Sequence, residues 1–208
     1  MSDLDRPPLI ELAGLPGSGK TSITARLATP DGGLRRMVMK PSLDPLFRQP
    51  WVTLRAMRWG LMRPSLAWAA WAKLCLLREL FDAYPVVPGT TLLIEEGVAH
   101  HAWRTLFRYP PARACPWEKL VRTGPPLIVL RASRETRHGR LPGKRVAGDT
   151  NRRLAAGQPD EATWGTAERL FEAVLSAAAP RRTLVEVSTE GDLEGAVQRV
   201  RAAVASLG

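Results

Sequence analysis

Eight consecutive residues near the start of the chain, from Gly14 to Thr21, have the types and spacing of a phosphate-binding loop. They follow the pattern G-x-x-x-x-G-K-[ST], in which glycines let successive backbone N–H groups surround phosphate oxygens. Lys20 would neutralise charge on the β- and γ-phosphates, and the Thr21 hydroxyl would coordinate Mg²⁺. The residues predicted to bind the nucleotide in this loop are Gly14, Pro16, Gly17, Ser18, Gly19, Lys20, Thr21 and Ser22.

A second group of residues able to do chemistry follows the apolar segment 91–94. Glu95 and Glu96 are two adjacent carboxylates at the carboxyl end of a predicted strand, which is where parallel sheets bind ligands. His100 comes one helical turn later and could face a pocket for a phosphoryl acceptor, with a packed histidine as the alternative. Lys40 closes another predicted strand and points at the same edge of the sheet, where it is a candidate for contact with the acceptor. The two cysteines and the histidines lack metal-ligand spacing, so no zinc site is expected.

The elements that must position these residues alternate between strands and helices. Apolar segments predict strands over 8–13, 36–40, 91–94, 126–130 and 183–187. Helical periodicity predicts helices over 19–28, 98–107, 161–179 and 193–207, and a helical pattern also covers 44–84. This alternation predicts an α/β fold, with a parallel sheet and helices on both faces. The phosphate loop then lies between the first strand and the first helix, as its motif requires.

On these motifs, the sequence resembles the small P-loop kinases, a group that includes nucleoside, nucleotide, shikimate-, gluconate- and adenylylsulfate-type kinases and antibiotic phosphotransferases. The resemblance covers most of the chain in the order of its strands, helices and motifs. It implies a five-stranded sheet in the order 2-3-1-4-5. It also implies that Glu95 holds the Mg²⁺ shell and that Glu96 accepts the proton of the acceptor hydroxyl or positions the acceptor. Glutamate instead of aspartate at position 95 departs from the family pattern, so the division of roles between the two carboxylates stays open.

The family resemblance further implies an arginine-bearing lid at 132–153 and a helical insertion that covers the acceptor at 41–90. Arg134, Arg137 and Arg140 recur every three residues along one face of a short predicted helix. We expect Arg134 to bind the nucleotide, and Arg137 and Arg140 to reach the γ-phosphate, because guanidinium groups stabilise the charge of a transferring phosphoryl group. The segment 132–153 holds few acids of its own to pair with these bases, so the lid is predicted to be mobile without ligand.

Basic charge and tryptophan give the remaining clues about the acceptor. The net charge of +10 is concentrated in 51–80 and 131–153, which favours anionic ligands. In the insertion, Trp68 falls outside the apolar stripe of the predicted helix, which makes it a candidate for the acceptor cleft. Contact with a membrane surface is the lesser alternative for this segment.

Together these patterns predict a single-domain kinase over 1–208 that uses ATP and Mg²⁺ to phosphorylate a small-molecule hydroxyl or phosphate. The alternatives are a polynucleotide 5′-end kinase and a P-loop ATPase that acts as a regulatory switch. RNA-binding signatures and a guanine motif are both absent, so neither nucleic acid nor GTPase activity is expected. The chain shows no candidate membrane span and no apolar leader, so we expect a cytoplasmic monomer or homodimer.

Overall fold

Five parallel strands form the centre of the fold in the order β2-β3-β1-β4-β5. The computed structural model describes residues 9–28, 34–37, 90–114, 116–141 and 161–207. The strands within these ranges are β1 (Leu9–Ala13), β2 (Leu34–Met37), β3 (Thr91–Ile94), β4 (Leu127–Arg131) and β5 (Leu184–Ser188). The central strand β1 pairs Ile10 with Leu93 of β3 and Leu12 with Ile128 of β4. This order confirms the topology that the resemblance implied.

Helices cover both faces of the sheet. In the part of the chain that the structure describes, they are α1 (Lys20–Leu27), α2 (Val98–Arg108), α3 (Trp117–Arg122), α4 (Arg134–Arg140), α5 (Glu161–Ala178) and α6 (Leu193–Ala205). A short 3₁₀ turn, Pro110–Ala114, joins α2 to α3. Helices α1 and α6 pack on one face, and α2, α3 and α5 pack on the other.

The core divides into two apolar clusters because successive side chains of a strand point to opposite faces of the sheet. Ile10 and Leu12 of β1 join the cluster beneath α1 and α6, whereas Ala13 joins the cluster beneath α2 and α5. The second cluster holds the large aromatic side chains Trp103 and Trp164, both 1% exposed. The indole nitrogen of Trp103 donates to the backbone oxygen of Ala167 on α5 at 2.8 Å, which fixes α2 against α5.

Most predicted elements are present, with ends within one or two residues of the expected positions. The strand expected at 91–94 is β3 itself, and the helix expected at 161–179 is α5 (Glu161–Ala178). The second strand was expected at 36–40 but is Leu34–Met37, because the ladder with β3 begins where Leu34 pairs with Thr91. The short helix α3 had not been predicted.

Several predicted features fall outside the described residues. These are the helical pattern of 44–84, the insertion at 41–90 apart from Thr90, Lys40, Trp68 and the lid beyond residue 141. Among the helices that the structure does describe, none combines the length and apolar character needed to cross a bilayer.

Candidate active site

The phosphate loop connects the central strand β1 to α1, and two of its glycines have backbone conformations that other residues rarely adopt. Gly17 has φ 85° and Gly19 has φ 88°. A Cβ at Gly17 would also lie 2.6 Å from the backbone oxygen of Arg137, the central residue of α4. The loop therefore packs directly against α4, and this contact requires glycine at position 17.

The side chain of Lys20 folds back over the phosphate loop. Its ammonium group donates to the backbone oxygen of Gly14 at 2.5 Å and to that of Leu15 at 3.3 Å. Its positive charge thereby lies beside the backbone N–H groups at the N-terminus of α1, where a helix also attracts anions. The residues that the sequence assigned to phosphate binding, Gly14 to Ser22, are thus held together at the carboxyl edge of the sheet.

Glu95 joins the end of β3 to the start of α1 through its buried carboxylate, which is 5% exposed. The hydroxyl of Thr21 donates to Oε1 of Glu95. The hydroxyl of Thr24 has its shortest contact, 2.9 Å, with the backbone oxygen of Lys20 and lies 3.3 Å from Oε2 of Glu95. The Arg36 guanidinium also pairs with Oε2, at 2.9 Å from Nε and 2.6 Å from Nη2. Arg36 is a site residue that had not been predicted.

The Thr21–Glu95 pair has the chemistry that Mg²⁺ requires. A hydroxyl that donates its proton to a carboxylate keeps oxygen lone pairs for a metal, and Mg²⁺ prefers oxygen ligands that include one or two carboxylates. The two residues thus fit the magnesium site that the resemblance implied. Among the described residues, no group of three or more His, Cys, Asp or Glu side chains is placed to enclose a metal without help from a substrate.

Glu96 and His100 lie next to each other on the neighbouring turn. The side chain of Glu96 is 38% exposed, and its Oε1 lies 3.9 Å from Nε2 of His100. Burial lowers the pKa of His100 well below its usual value, and the nearby charges of Lys20, His101 and Arg104 lower it further. His100 is therefore neutral at physiological pH, and its Nδ1 has no hydrogen-bond partner among the described residues.

A buried ion pair supports the turn that carries the two carboxylates. Glu11 of β1 accepts a hydrogen bond from the backbone N–H of Ala99 at 2.8 Å, at the N-terminus of α2. Its other oxygen accepts from Arg182 at 2.7 Å, and the two side chains are 1% and 0% exposed. A Cβ at Gly97 would lie 2.3 Å from Cδ of Glu11, so glycine is needed for this close approach. This network had not been predicted, although a charged residue within an apolar strand indicates a buried partner.

The lid arginines divide between two environments. Arg134 and Arg137 both pair with Glu168 of α5, and Arg134 also pairs with Glu161. The hydrogen bond from Arg134 lowers the pKa of Glu168. Arg137 is 7% exposed and its guanidinium lies 5.4 Å from the centre of the Trp164 ring. The acids that pair with Arg134 and Arg137 come from α5, outside the segment 132–153, and the mobility predicted for that segment stays a prediction.

Arg140 points away from that cluster. An α-helix turns 100° per residue, so a three-residue spacing drifts around the helix and does not keep all three arginines on one face. The Arg140 guanidinium donates to the backbone oxygen of Thr189 at 2.7 Å, and it lies 3.8 Å from where a Cβ of Gly19 would be. Of the three predicted arginines, Arg140 is therefore the one whose guanidinium group the structure places beside the phosphate loop, whereas Arg137 meets the loop through its backbone.

A cleft of about 290 Å³ opens where Arg140, the start of α1 and the loop after β5 meet. Its walls are mostly small or aliphatic, and Leu193 on its rim is 37% exposed. The lining residues that follow β5, such as Thr189 and Gly191, had not been predicted as part of the site. The cleft is lined by Gly17, Gly19, Ser22, Ile23, Arg140, Thr189, Gly191, Leu193 and Ala196.

Comparison with solved structures places this fold among those of the small P-loop kinases. A deoxyadenosine kinase from M. mycoides is 14% identical, with 96% of this chain and 100% of that chain covered and a TM-score of 0.58. A thymidylate kinase from Candida albicans is 13% identical over 97% of this chain and 92% of its own, with a TM-score of 0.59. A shikimate kinase from Acinetobacter baumannii, in complex with shikimate, is 16% identical over 98% and 96%, with a TM-score of 0.50.

These likenesses hold for the fold, since the sequence identities are low. No protein-family model matches the chain, and no curated protein matches it in sequence. The architecture predicted from the motifs, an α/β parallel sheet of the P-loop kinase type, is confirmed.

Proposed function

We propose that this protein is a kinase that transfers the γ-phosphoryl group of ATP, with Mg²⁺, to a small-molecule hydroxyl or phosphate. The observation that carries the proposal is the hydrogen bond between Thr21 and Glu95. It joins the phosphate loop to the acidic end of β3, so the residues that would bind the phosphates and those that would hold the metal lie together. The kinase folds among the structural neighbours support the same class of reaction.

Catalysis in this proposal comes from positioning and charge stabilisation. Lys20 and the backbone N–H groups of the loop bind the phosphates, and Arg140 adds a third source of positive charge. Thr21 and Glu95 would hold Mg²⁺, which when bound neutralises phosphate charge and polarises the transferring group. Arg137 has a positioning role here, because its guanidinium is buried against Glu168 and its backbone against Gly17.

The cleft beside Arg140 suits the base of the nucleotide. It adjoins Gly17, Gly19 and Ser22 of the phosphate loop, so a nucleotide with its phosphates in the loop would extend into it. Its apolar walls, which include Ile23 and Leu193, suit a flat ring, since ligand pockets combine apolar surface with a few polar groups.

The acceptor would lie on the side of Glu96 and His100. Glu95 is buried and paired with Thr21 and Arg36, whereas Glu96 is more exposed and is available to a substrate. An acceptor hydroxyl would form its new bond to the γ-phosphorus as the bond between that phosphorus and the β–γ bridging oxygen breaks. Glu96 would take the hydroxyl proton, and neutral His100 would orient the acceptor. The neighbours named above are kinases of a nucleoside, a nucleotide and a hydroxy acid, so this fold does not by itself select an acceptor.

A two-stage experiment tests the proposal. Thermal stability is first measured with Mg²⁺ and a non-hydrolysable ATP analogue, and then with a panel of nucleosides, sugars, antibiotics and hydroxy acids added. Acceptors that raise the melting temperature are then incubated with γ-labelled ATP, with Lys20→Ala as the control for contaminating kinases. Transfer of label by the wild type alone supports a small-molecule kinase.

Two results would replace this proposal with an alternative. Release of labelled phosphate to water at the same rate with every panel compound would indicate an ATPase switch. Labelling of a DNA or RNA 5′ end, with binding that weakens as salt rises, would indicate a polynucleotide kinase.

A further inference from the structure

Arg36 is the residue of the site whose role the phosphate-loop chemistry does not explain. Its guanidinium makes two contacts with Oε2 of Glu95, at 2.9 Å from Nε and 2.6 Å from Nη2. Thr21 donates to the other oxygen, Oε1, so Arg36 makes the closest contacts with Oε2. Arg36 adds a full positive charge to the carboxylate that fits the metal.

The register of the sheet places Arg36 on the same face as Glu95, which is the face that α1 covers. Arg36 lies opposite Leu93 in the parallel ladder between β2 and β3, and Glu95 follows two residues after Leu93. Since alternate residues share a face of a sheet, Arg36, Leu93 and Glu95 all point toward α1, which carries Thr21. Arg35 pairs with Leu92 and points to the opposite face.

We infer that Arg36 is the counter-cation of Glu95 and that it keeps free Mg²⁺ from binding to the nucleotide-free protein. This inference rests on the proposed function, because it assigns the metal to Thr21 and Glu95. Without nucleotide, the single negative charge of Glu95 is balanced by Arg36, so a divalent cation gains little there. A nucleotide brings several negative charges of its own, and the metal then enters together with the phosphates.

The expected size of the effect follows from Coulomb's law. Removing one unit charge at a separation on the order of 5 Å from a divalent ion tightens binding by on the order of tenfold, even with the dielectric constant of bulk water. The Arg36 side chain is 32% exposed, so salt screens part of this interaction, and the tenfold figure applies at low ionic strength.

The test is a calorimetric titration of the nucleotide-free protein with MgCl₂ at constant, low ionic strength. Arg36→Gln should bind Mg²⁺ about tenfold more tightly than the wild type. Arg35→Gln is the matched control: it removes the same charge from the adjacent residue on the other face, and it should behave as wild type. Arg36→Lys keeps the charge and should also behave as wild type. Adding Glu95→Gln to Arg36→Gln should abolish the gain.

Equal Mg²⁺ affinities for Arg36→Gln and Arg35→Gln would overturn the inference, and so would a gain that survives Glu95→Gln. If Arg36→Gln does not fold, Arg36→Met and Arg36→Lys provide the comparison, and the inference fails if the two bind Mg²⁺ equally. A parallel titration of the wild type with Mg²⁺ and a non-hydrolysable ATP analogue tests the proposed function separately. Absence of binding in that titration would refute the proposed function, whatever the arginine variants do.

Discussion

Removing either member of the buried pair Glu11–Arg182 should destabilise the fold strongly, because the other member is then left buried without its counter-charge. The two side chains are 1% and 0% exposed, and Arg182 cannot lose its charge in a protein. Glu11→Gln leaves the guanidinium buried without its counter-charge, with the backbone oxygens of Pro125 and Val121 as its remaining partners. Breaking a buried pair from one side costs about 3–5 kcal/mol of unfolding free energy. For a chain of this size, that corresponds to a fall in melting temperature of roughly 10 °C.

The assay is urea denaturation followed by circular dichroism at pH 7, applied to a double-mutant cycle. Glu11→Gln and Arg182→Met should each lose about 3–5 kcal/mol, and the double variant should lose at least about 2 kcal/mol less than their sum. The replaced side chains keep most of their volume, so packing changes little. Exposed Arg181→Met, one residue away, is the control and should change stability by less than about 0.5 kcal/mol. Losses below about 1 kcal/mol for the single variants, or additive losses in the double variant, would refute the reasoning.

Three further predictions concern the chemistry of the site. Lys20→Ala should fold normally yet lower phosphoryl transfer by about 10²-fold or more, and an unchanged turnover would contradict the kinase proposal. Glu95→Gln should raise the Mg²⁺ concentration needed for half-maximal activity, whereas Glu96→Gln should lower kcat with the Mg²⁺ dependence unchanged; identical Mg²⁺ profiles would refute this division of roles. Because burial lowers the pKa of His100 in the folded protein, the unfolded state binds this proton first as pH falls below about 6.5, so stability is lost in that range. His100→Asn should make the difference in urea midpoint between pH 7.5 and pH 5.5 smaller, and an unchanged difference would show that His100 does not contribute.

Local patterns were enough to predict most of the elements and the phosphate loop. The loop is one continuous motif, and β3 is a short apolar segment bounded by polar residues, so neither depends on distant partners. The strand order came from the family resemblance, because the spacing of strands along a chain does not determine their order in a sheet. The roles of Lys40, Trp68 and the rest of the insertion stay predictions, since they lie outside the described residues.

The contacts that support the site could not be predicted, because they join residues far apart in the chain. Arg36 and Glu95 are 59 residues apart, and no sequence pattern near either residue identifies its partner. The pair Arg35–Arg36 did carry a signal, since alternation along a strand must send one of the two arginines to each face. For Arg134 and Arg137, the acid Glu168 belongs to a later helix, so counting charges within the lid alone gave the wrong environment.

The span of the Glu11–Arg182 pair has a consequence for how the protein acquires its structure. The two residues are 171 positions apart, so during synthesis β1 emerges long before its counter-charge exists. Until Arg182 is made, Glu11 cannot be buried without cost, and the central strand cannot take its final place beneath α2. Closing so long a loop is slow compared with forming local helices. The turn that carries Glu95 and Glu96 should therefore reach its final structure among the last events of folding, after α5 has formed and the chain has turned back toward β5.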